Sequence, residues 1–198
     1  MKEFRTEGKA QQDIKPAQIT QFSKIKSEAG GRVKTGIFEF DRVLGGGIAE
    51  RAAILLSGEP GVGKSTVLLK CLSGLRVLYM SGEESGPQVK NRADRIGVEL
   101  TNFYFSDQTQ VDGIITSLSE RTADFDVVVI DSIQTVYTKD VKGTAGSVAQ
   151  ARESASRLIT FVKKNNLALI IVGHITKSGE IAGPKTLEHL VMLGILVY

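Results

Sequence analysis

Gly58-Glu59-Pro60-Gly61-Val62-Gly63-Lys64-Ser65 decides how this chain is read. The octapeptide follows the apolar run Ala52–Ser57, which reads as a buried strand, and opens a helical pattern over Lys64–Ser73. A strand, a glycine-rich turn and a helix in that order satisfy the spacing G-x-x-x-x-G-K-[ST] in the context its mechanism requires. Glycines at 61 and 63 let the backbone curl until successive N–H groups face one point, and the positive end of the following helix dipole faces the same point. A phosphate chain suits that geometry. Lys64 is placed to bridge the β- and γ-phosphates of a nucleotide, and the Ser65 hydroxyl to ligate magnesium. Gly58, Glu59, Pro60, Gly61, Val62, Gly63, Lys64, Ser65 and Thr66 are therefore the expected cradle for ATP with Mg2+.

Outward from this loop, strand and helix patterns alternate. Arg76–Ser81 is a second apolar strand, reached through a short turn at Gly74, and Ser85–Ile96 carries Val89, Ala93 and Ile96 on one helical face. Phe103–Ser106 reads as a short strand, Val111–Arg121 as the next helix, and Asp126–Asp131 as a β-branched run suited to the middle of a parallel sheet. A glycine-containing loop, Tyr137–Gly146, leads into a helix over Ser147–Lys164, and Leu167–Gly173 is a further buried strand. Polar Ile175–Pro184 and apolar Leu190–Tyr198 follow, with no element assigned to them. The alternation predicts an α/β architecture, a mostly parallel central sheet with helices on both faces. Residues 1–32 are polar, lack a sustained apolar period and read as a leader or linker; residues 33–198 read as the core.

With 198 residues, 41% hydrophobic and 24% charged, the composition is that of one ordinary soluble domain. Its apolar stretches are too short to cross a bilayer, and no apolar segment follows the basic start Met1–Arg5, so a cytoplasmic location without membrane contact is expected. The single cysteine, Cys71, excludes an internal disulfide and a cysteine-based zinc cluster within this chain; among Leu68, Leu69 and Leu72 it reads as a small buried hydrophobe. A net charge of +3 neither demands nor forbids a nucleic-acid partner.

Asp131 closes the run Val127–Ile130, which puts a carboxylate at the carboxyl tip of a buried strand, where ligands of open α/β sheets bind. Alone it would pass for a cap on the next turn; beside the glycine loop it becomes the second magnesium ligand. Glu83 and Glu84 follow the strand ending at Ser81 and reach the same edge, where a carboxylate can orient and deprotonate an attacking water. First-turn acids also complement a helix dipole, and the two roles are compatible. Glu83 is the stronger choice as base. His174 and Lys177, just past the strand Leu167–Gly173, are placed to sense a γ-phosphate, against a nearly equal case for ordinary polar loop contacts. Lys139, Lys142, Lys177 and Lys185 are the cations available for nucleic acid, although surface lysines are usually just solvated.

Taken together the motifs resemble a known family. They are Thr35-Gly36-Ile37 leading to Glu39–Gly47, the loop Gly58–Ser65, Leu78–Ser85, Val129–Thr135, Gly146–Glu153, and Val172–Lys177 with Ala182-Gly183-Pro184. This combination, from about Val33 to His189, closely resembles the ATPase core of the bacterial RadA (Sms) family, RecA-like proteins of DNA repair and recombination. The resemblance implies a RecA-type fold, ATP hydrolysis at the subunit interfaces of a homo-oligomeric ring, single-stranded DNA in the central channel, and work as a motor in branch migration. It also implies a recombinase of the RecA type as partner. Glu83 then matches the catalytic glutamate, and the loops Tyr137–Gly146 and Ile175–Pro184 match the channel-facing DNA loops.

Family members usually begin with a four-cysteine zinc module and continue into a Lys-Asn-Arg-Phe-Gly motif and a Lon-protease-like domain, none of which occurs in these residues. The Gly74-Leu75-Arg76 connection is shorter than usual, Ala49-Glu50-Arg51 replaces a Pro-Gly turn, and Met192 stands where aspartate is usual. A neighbouring cation normally stabilises the transition state in interface ATPases, and the motif expected to supply it is missing here, so hydrolysis by this core is expected to be weak. The alternatives are a nucleotide-gated assembly module with little or no ATPase activity, and a kinase of related fold.

Overall fold

The computed structural model describes residues 19–24, 30–174 and 187–197. Within them the chain builds a six-stranded sheet in the order β5-β4-β6-β7-β3-β8. The strands are β3 (Ala53–Gly58), β4 (Val77–Ser81), β5 (Phe103–Ser106), β6 (Val127–Asp131), β7 (Ala168–His174) and β8 (Leu193–Val197). Every neighbouring pair is parallel. A two-stranded antiparallel ribbon, β1 (Arg32–Val33) with β2 (Ile48–Ala49), precedes it and brackets α1 (Phe38–Val43). Among the described residues, Arg32 is the first to join a strand.

Helices α2 (Lys64–Leu72) and α3 (Gly86–Arg95) cover one face of the sheet; α4 (Val111–Ser119) and α5 (Val148–Lys164) cover the other. Strand periodicity explains the division. On β6, Val128 and Ile130 join the cluster containing Ile114, Leu118, Ala155 and Leu158, whereas Val127 and Val129 join that containing Leu68, Leu69, Val89 and Ala93. Val127 to Ile130 are each wholly buried. At about 1.5–3 kcal/mol for burying one such side chain, this strand is a main source of cohesion.

Element boundaries follow local chemistry. Pro87 stands in the first turn of α3, and Gln88 Oε1 accepts the backbone N–H of Ser85 at 2.8 Å, closing the helix start. Ser147 caps α5, its Oγ accepting the N–H of Gln150. Expected and observed ends agree within a residue, with one difference of two: the pattern over Val111–Arg121 predicts a single helix, but α4 ends at Ser119 and a short 3-10 turn follows at Thr122–Asp124. The stretch Leu190–Tyr198 supplies β8, an edge strand paired to β3 from Ile54↔Leu193 to Gly58↔Val197.

Parity also positions the chemistry. In register, Val77 pairs with Val127 and Ser81 with Asp131, so Tyr79, Ser81 and Asp131 project to the α2–α3 side. On β7, Ala168, Ile170 and Val172 face that side, and the alternation brings His174 to it as well. The carboxyl ends of β3, β4, β6 and β7 therefore converge over the start of α2.

Candidate nucleotide site

Gly61 and Gly63 have φ of +84° and +93°, and a Cβ built at either meets nothing within 4 Å. The loop is thus wound in the left-handed conformation that only glycine adopts at little cost, with open space over its N–H groups. Gly58 is confined instead by packing: a Cβ there would lie 2.5 Å from the carbonyl oxygen of Val197. The Lys64 side chain, buried to 4% exposure, donates from Nζ to the carbonyls of Gly58 at 3.0 Å and Glu59 at 2.8 Å. Burial lowers the pKa of its ammonium, and the charges of Asp131 and Glu83 oppose that shift.

Ser65 Oγ donates to Asp131 Oδ2 at 2.7 Å, and the Tyr79 hydroxyl donates to the same oxygen through a short hydrogen bond. Tyr79 is fully buried, so burial and the adjacent carboxylate push its pKa far up and keep it a donor. The serine and aspartate expected to share magnesium are thus held side by side. No group of three or more His, Cys, Asp or Glu residues that could hold a metal occurs among the described residues. That donor set fits Mg2+ in particular, which keeps several waters and takes substrate phosphate oxygens beside one or two protein ligands.

Glu83 sits on a turn fixed from several directions. Ser81 Oγ accepts the N–H groups of Glu83 at 3.3 Å and Glu84 at 3.0 Å, and the Gly82 N–H reaches the Asp131 carbonyl at 3.2 Å. The Glu83 carboxylate accepts a short hydrogen bond from Ser132 Oγ and lies 3.0 Å and 3.2 Å from His174 Nε2. The His174 contact, with help from Ser132, holds its carboxyl below the usual glutamate value despite partial burial. Glu84 turns away into an ion pair with Arg92 of α3.

Pro60, Gly61, Gly63, Lys64, Ser65 and Thr66 line one cavity of about 340 Å³, and Glu83, Glu84, Arg92 and His174 close its other side. Among the expected residues, therefore, the phosphate loop, both glutamates and His174 are brought together, with Asp131 beneath them. Lys139 and Lys142 are exposed on the loop after β6 and do not line this cavity; Lys177, Lys185 and the loop Ile175–Pro184 lie outside the described residues. Sequence reasoning missed Tyr79, Arg92 and Ser132. Tyr79 and Ser132 carried a weak signal, the first as a polar-tipped side chain inside a buried strand and the second as a polar residue just past the end of one.

The family described as "ATPase: KaiC" matches residues 33–127. "DNA repair protein RadA" of Listeria monocytogenes is 46% identical over 184 residues, which cover 89% of this chain and 39% of that protein. The RadA proteins of Bacillus subtilis and Escherichia coli are 45% and 43% identical, over 89% and 91% of the chain. Nearly the whole chain is thus similar to a stretch of the RadA proteins. It spans about two fifths of the length of these relatives. A KaiC-like protein from Pyrococcus horikoshii shares the fold, with a TM-score of 0.68 at 20% identity, covering 84% of this chain and 80% of that one. No helix among the described residues is long and apolar enough to cross a membrane.

Proposed function

We propose that this chain is the ATP-binding and ATP-hydrolysing RecA-like core of a cytoplasmic DNA repair and recombination protein, which binds single-stranded DNA, assembles as a ring and acts in branch migration beside a RecA-type recombinase. The observation that carries the ATPase reading is that Ser65 and Glu83 line one cavity over the phosphate loop, with Asp131 hydrogen-bonded to Ser65 beneath it. The DNA reading is supported by the RadA names of its relatives and by Lys139 and Lys142 on an exposed loop.

The loop N–H groups and Lys64 hold the β- and γ-phosphates in place. Ser65 and Asp131 would hold Mg2+, which when bound neutralises charge on the phosphate oxygens. Glu83 orients a water and accepts its proton while the water oxygen attacks the γ-phosphorus. The bond from that phosphorus to the β-phosphate oxygen breaks, and ADP leaves with the electron pair. Positioning and charge supply most of the rate, so a distant cation matters as much as the base.

One observation favours the assembly-module reading as an alternative. Arg92, the cation facing Lys64 across the cavity, is already engaged by Glu84. Phosphate release from ATP and magnesium, with and without single-stranded DNA at two salt concentrations, tests both. Stimulation that fades as salt rises supports a DNA-dependent core using phosphate contacts. Tight nucleotide binding without turnover in either condition supports the assembly module.

A further inference from the structure

We infer that Ser132 is a positioning residue for the attack on the γ-phosphate: it fixes the Glu83 carboxylate against the end of β6. The inference rests on the ATPase reading of Glu83 and goes beyond it, because it assigns the support of the base to a residue outside the phosphate loop.

Ser132 is wholly buried, and a buried hydroxyl requires a partner. Among the described residues its Oγ donates to Glu83 Oε1, a carboxylate facing the cavity. The serine has little freedom to aim elsewhere. Its carbonyl accepts the Thr135 N–H at 3.1 Å and the Thr135 hydroxyl at 2.8 Å, and the next residue, Ile133, donates its N–H to Val172 of β7 at 3.0 Å. The turn after β6 is thus tied both to itself and to the neighbouring strand.

The other side of the contact is equally constrained. A Cβ on Gly82 would stand 2.4 Å from Thr135 Oγ1 and 2.8 Å from Thr109 Cγ2, so the backbone carrying Glu83 is pressed directly on the turn carrying Ser132. A purely structural hydroxyl would be expected to close on a nearby backbone carbonyl, as Thr135 does. Ser132 instead spans two crossovers, 49 residues, to reach a carboxylate that lines the cavity over the phosphate loop. His174 Nε2 approaches from β7, while its buried Nδ1 has no partner among the described residues, which favours the tautomer with the proton on Nε2, donating to Glu83. Serine and histidine together hold the carboxylate from two sides.

The test is Ser132→Ala and, because a buried site can fail to fold, Ser132→Cys, which keeps nearly the same volume with a far weaker donor. Both are assayed for kcat and for ATP affinity beside the wild type and Glu83→Gln. The expected result is a fall in kcat of about tenfold or more, with ATP affinity within about twofold of wild type, the pattern of an interaction that acts in the transition state. Unchanged kcat in a folded variant overturns the inference. So does a parallel loss of ATP affinity, which would assign Ser132 to Asp131 and the phosphate side. A wild-type chain that releases no phosphate overturns the ATPase reading and this inference together; an active wild type with inactive Glu83→Gln and fully active Ser132→Ala overturns this inference alone.

Discussion

Ser65 Oγ and Asp131 Oδ2 lie 2.7 Å apart although 66 positions separate them in the chain. The first opens α2 and the second ends β6, and β7 lies between β6 and the strand that feeds the phosphate loop. Their meeting therefore depends on the strand order β6-β7-β3 and not on any local run of sequence.

Replacing Lys64 by alanine removes the cation that faces the phosphates and leaves the Gly58 and Glu59 carbonyls without their donor. Hydrogen bonds to charged groups contribute about 1.5–3 kcal/mol, so ATP affinity should fall by roughly ten- to a hundredfold. Titration with a fluorescent ATP analogue measures this. Unchanged affinity would remove the phosphate-loop assignment.

Glu83→Gln keeps the shape of the side chain and removes its basicity. Because His174 and Ser132 hold the carboxyl below its ordinary range, the wild-type group is ionised throughout the neutral region and available as base. Turnover should be lost while ATP binding persists. A variant that hydrolyses at the wild-type rate would assign the base elsewhere or leave only the binding module.

Gln150 is buried in α5 and stitches the loop before it. Its Oε1 accepts the Thr138 N–H at 2.9 Å, and its Nε2 donates to the carbonyls of Thr138 at 3.0 Å and Val141 at 2.6 Å. Gln150→Ala strands these groups and should destabilise the fold by about 1–3 kcal/mol. Faster hydrogen exchange across residues 138–143 at unchanged exchange in β6 is the accompanying expectation. If Lys139 and Lys142 contact DNA from a fixed loop, DNA affinity should drop as well, read by fluorescence anisotropy; unaltered exchange would show that the loop is held by Arg157 and its partners Asp112 and Asp140.

Acid should weaken the fold through Asp126. The Arg76 side chain and N–H hold its carboxyl below the ordinary 3.8. A carboxylate with a depressed folded pKa stabilises the fold above its unfolded value, and the contribution disappears as pH falls through the folded value. Melting temperature should thus decline more steeply below about pH 4 in the wild type than in Asp126→Asn. Parallel declines would exclude this pair as a source of acid sensitivity.

Much of this site is legible in the sequence because it is encoded locally. The glycine spacing at 58–65 specifies its own turn, and Asp131 is announced by the apolar strand before it. The support around Glu83 is different: Ser132 and His174 come from the ends of β6 and β7, 49 and 91 positions away, and their convergence is a property of strand order rather than of any local pattern. Gln150 lies between these cases. It shares the buried face of α5 with Ser154 and Leu158 at intervals of four, so a polar residue inside an apolar stripe was visible, but its partners were not. The edge strand β8 escaped assignment because a five-residue apolar stretch containing Gly194 fits strand and buried helix alike.

Gly58, the first residue of the phosphate loop, is flanked in register by His174 of β7 on one side and Val197 of β8 on the other. The loop therefore grows out of a hydrogen-bonded hinge between the residue that touches Glu83 and the outermost strand of the sheet. A contact made with the outer edge of β8 would therefore stand a single rung of the ladder from the loop.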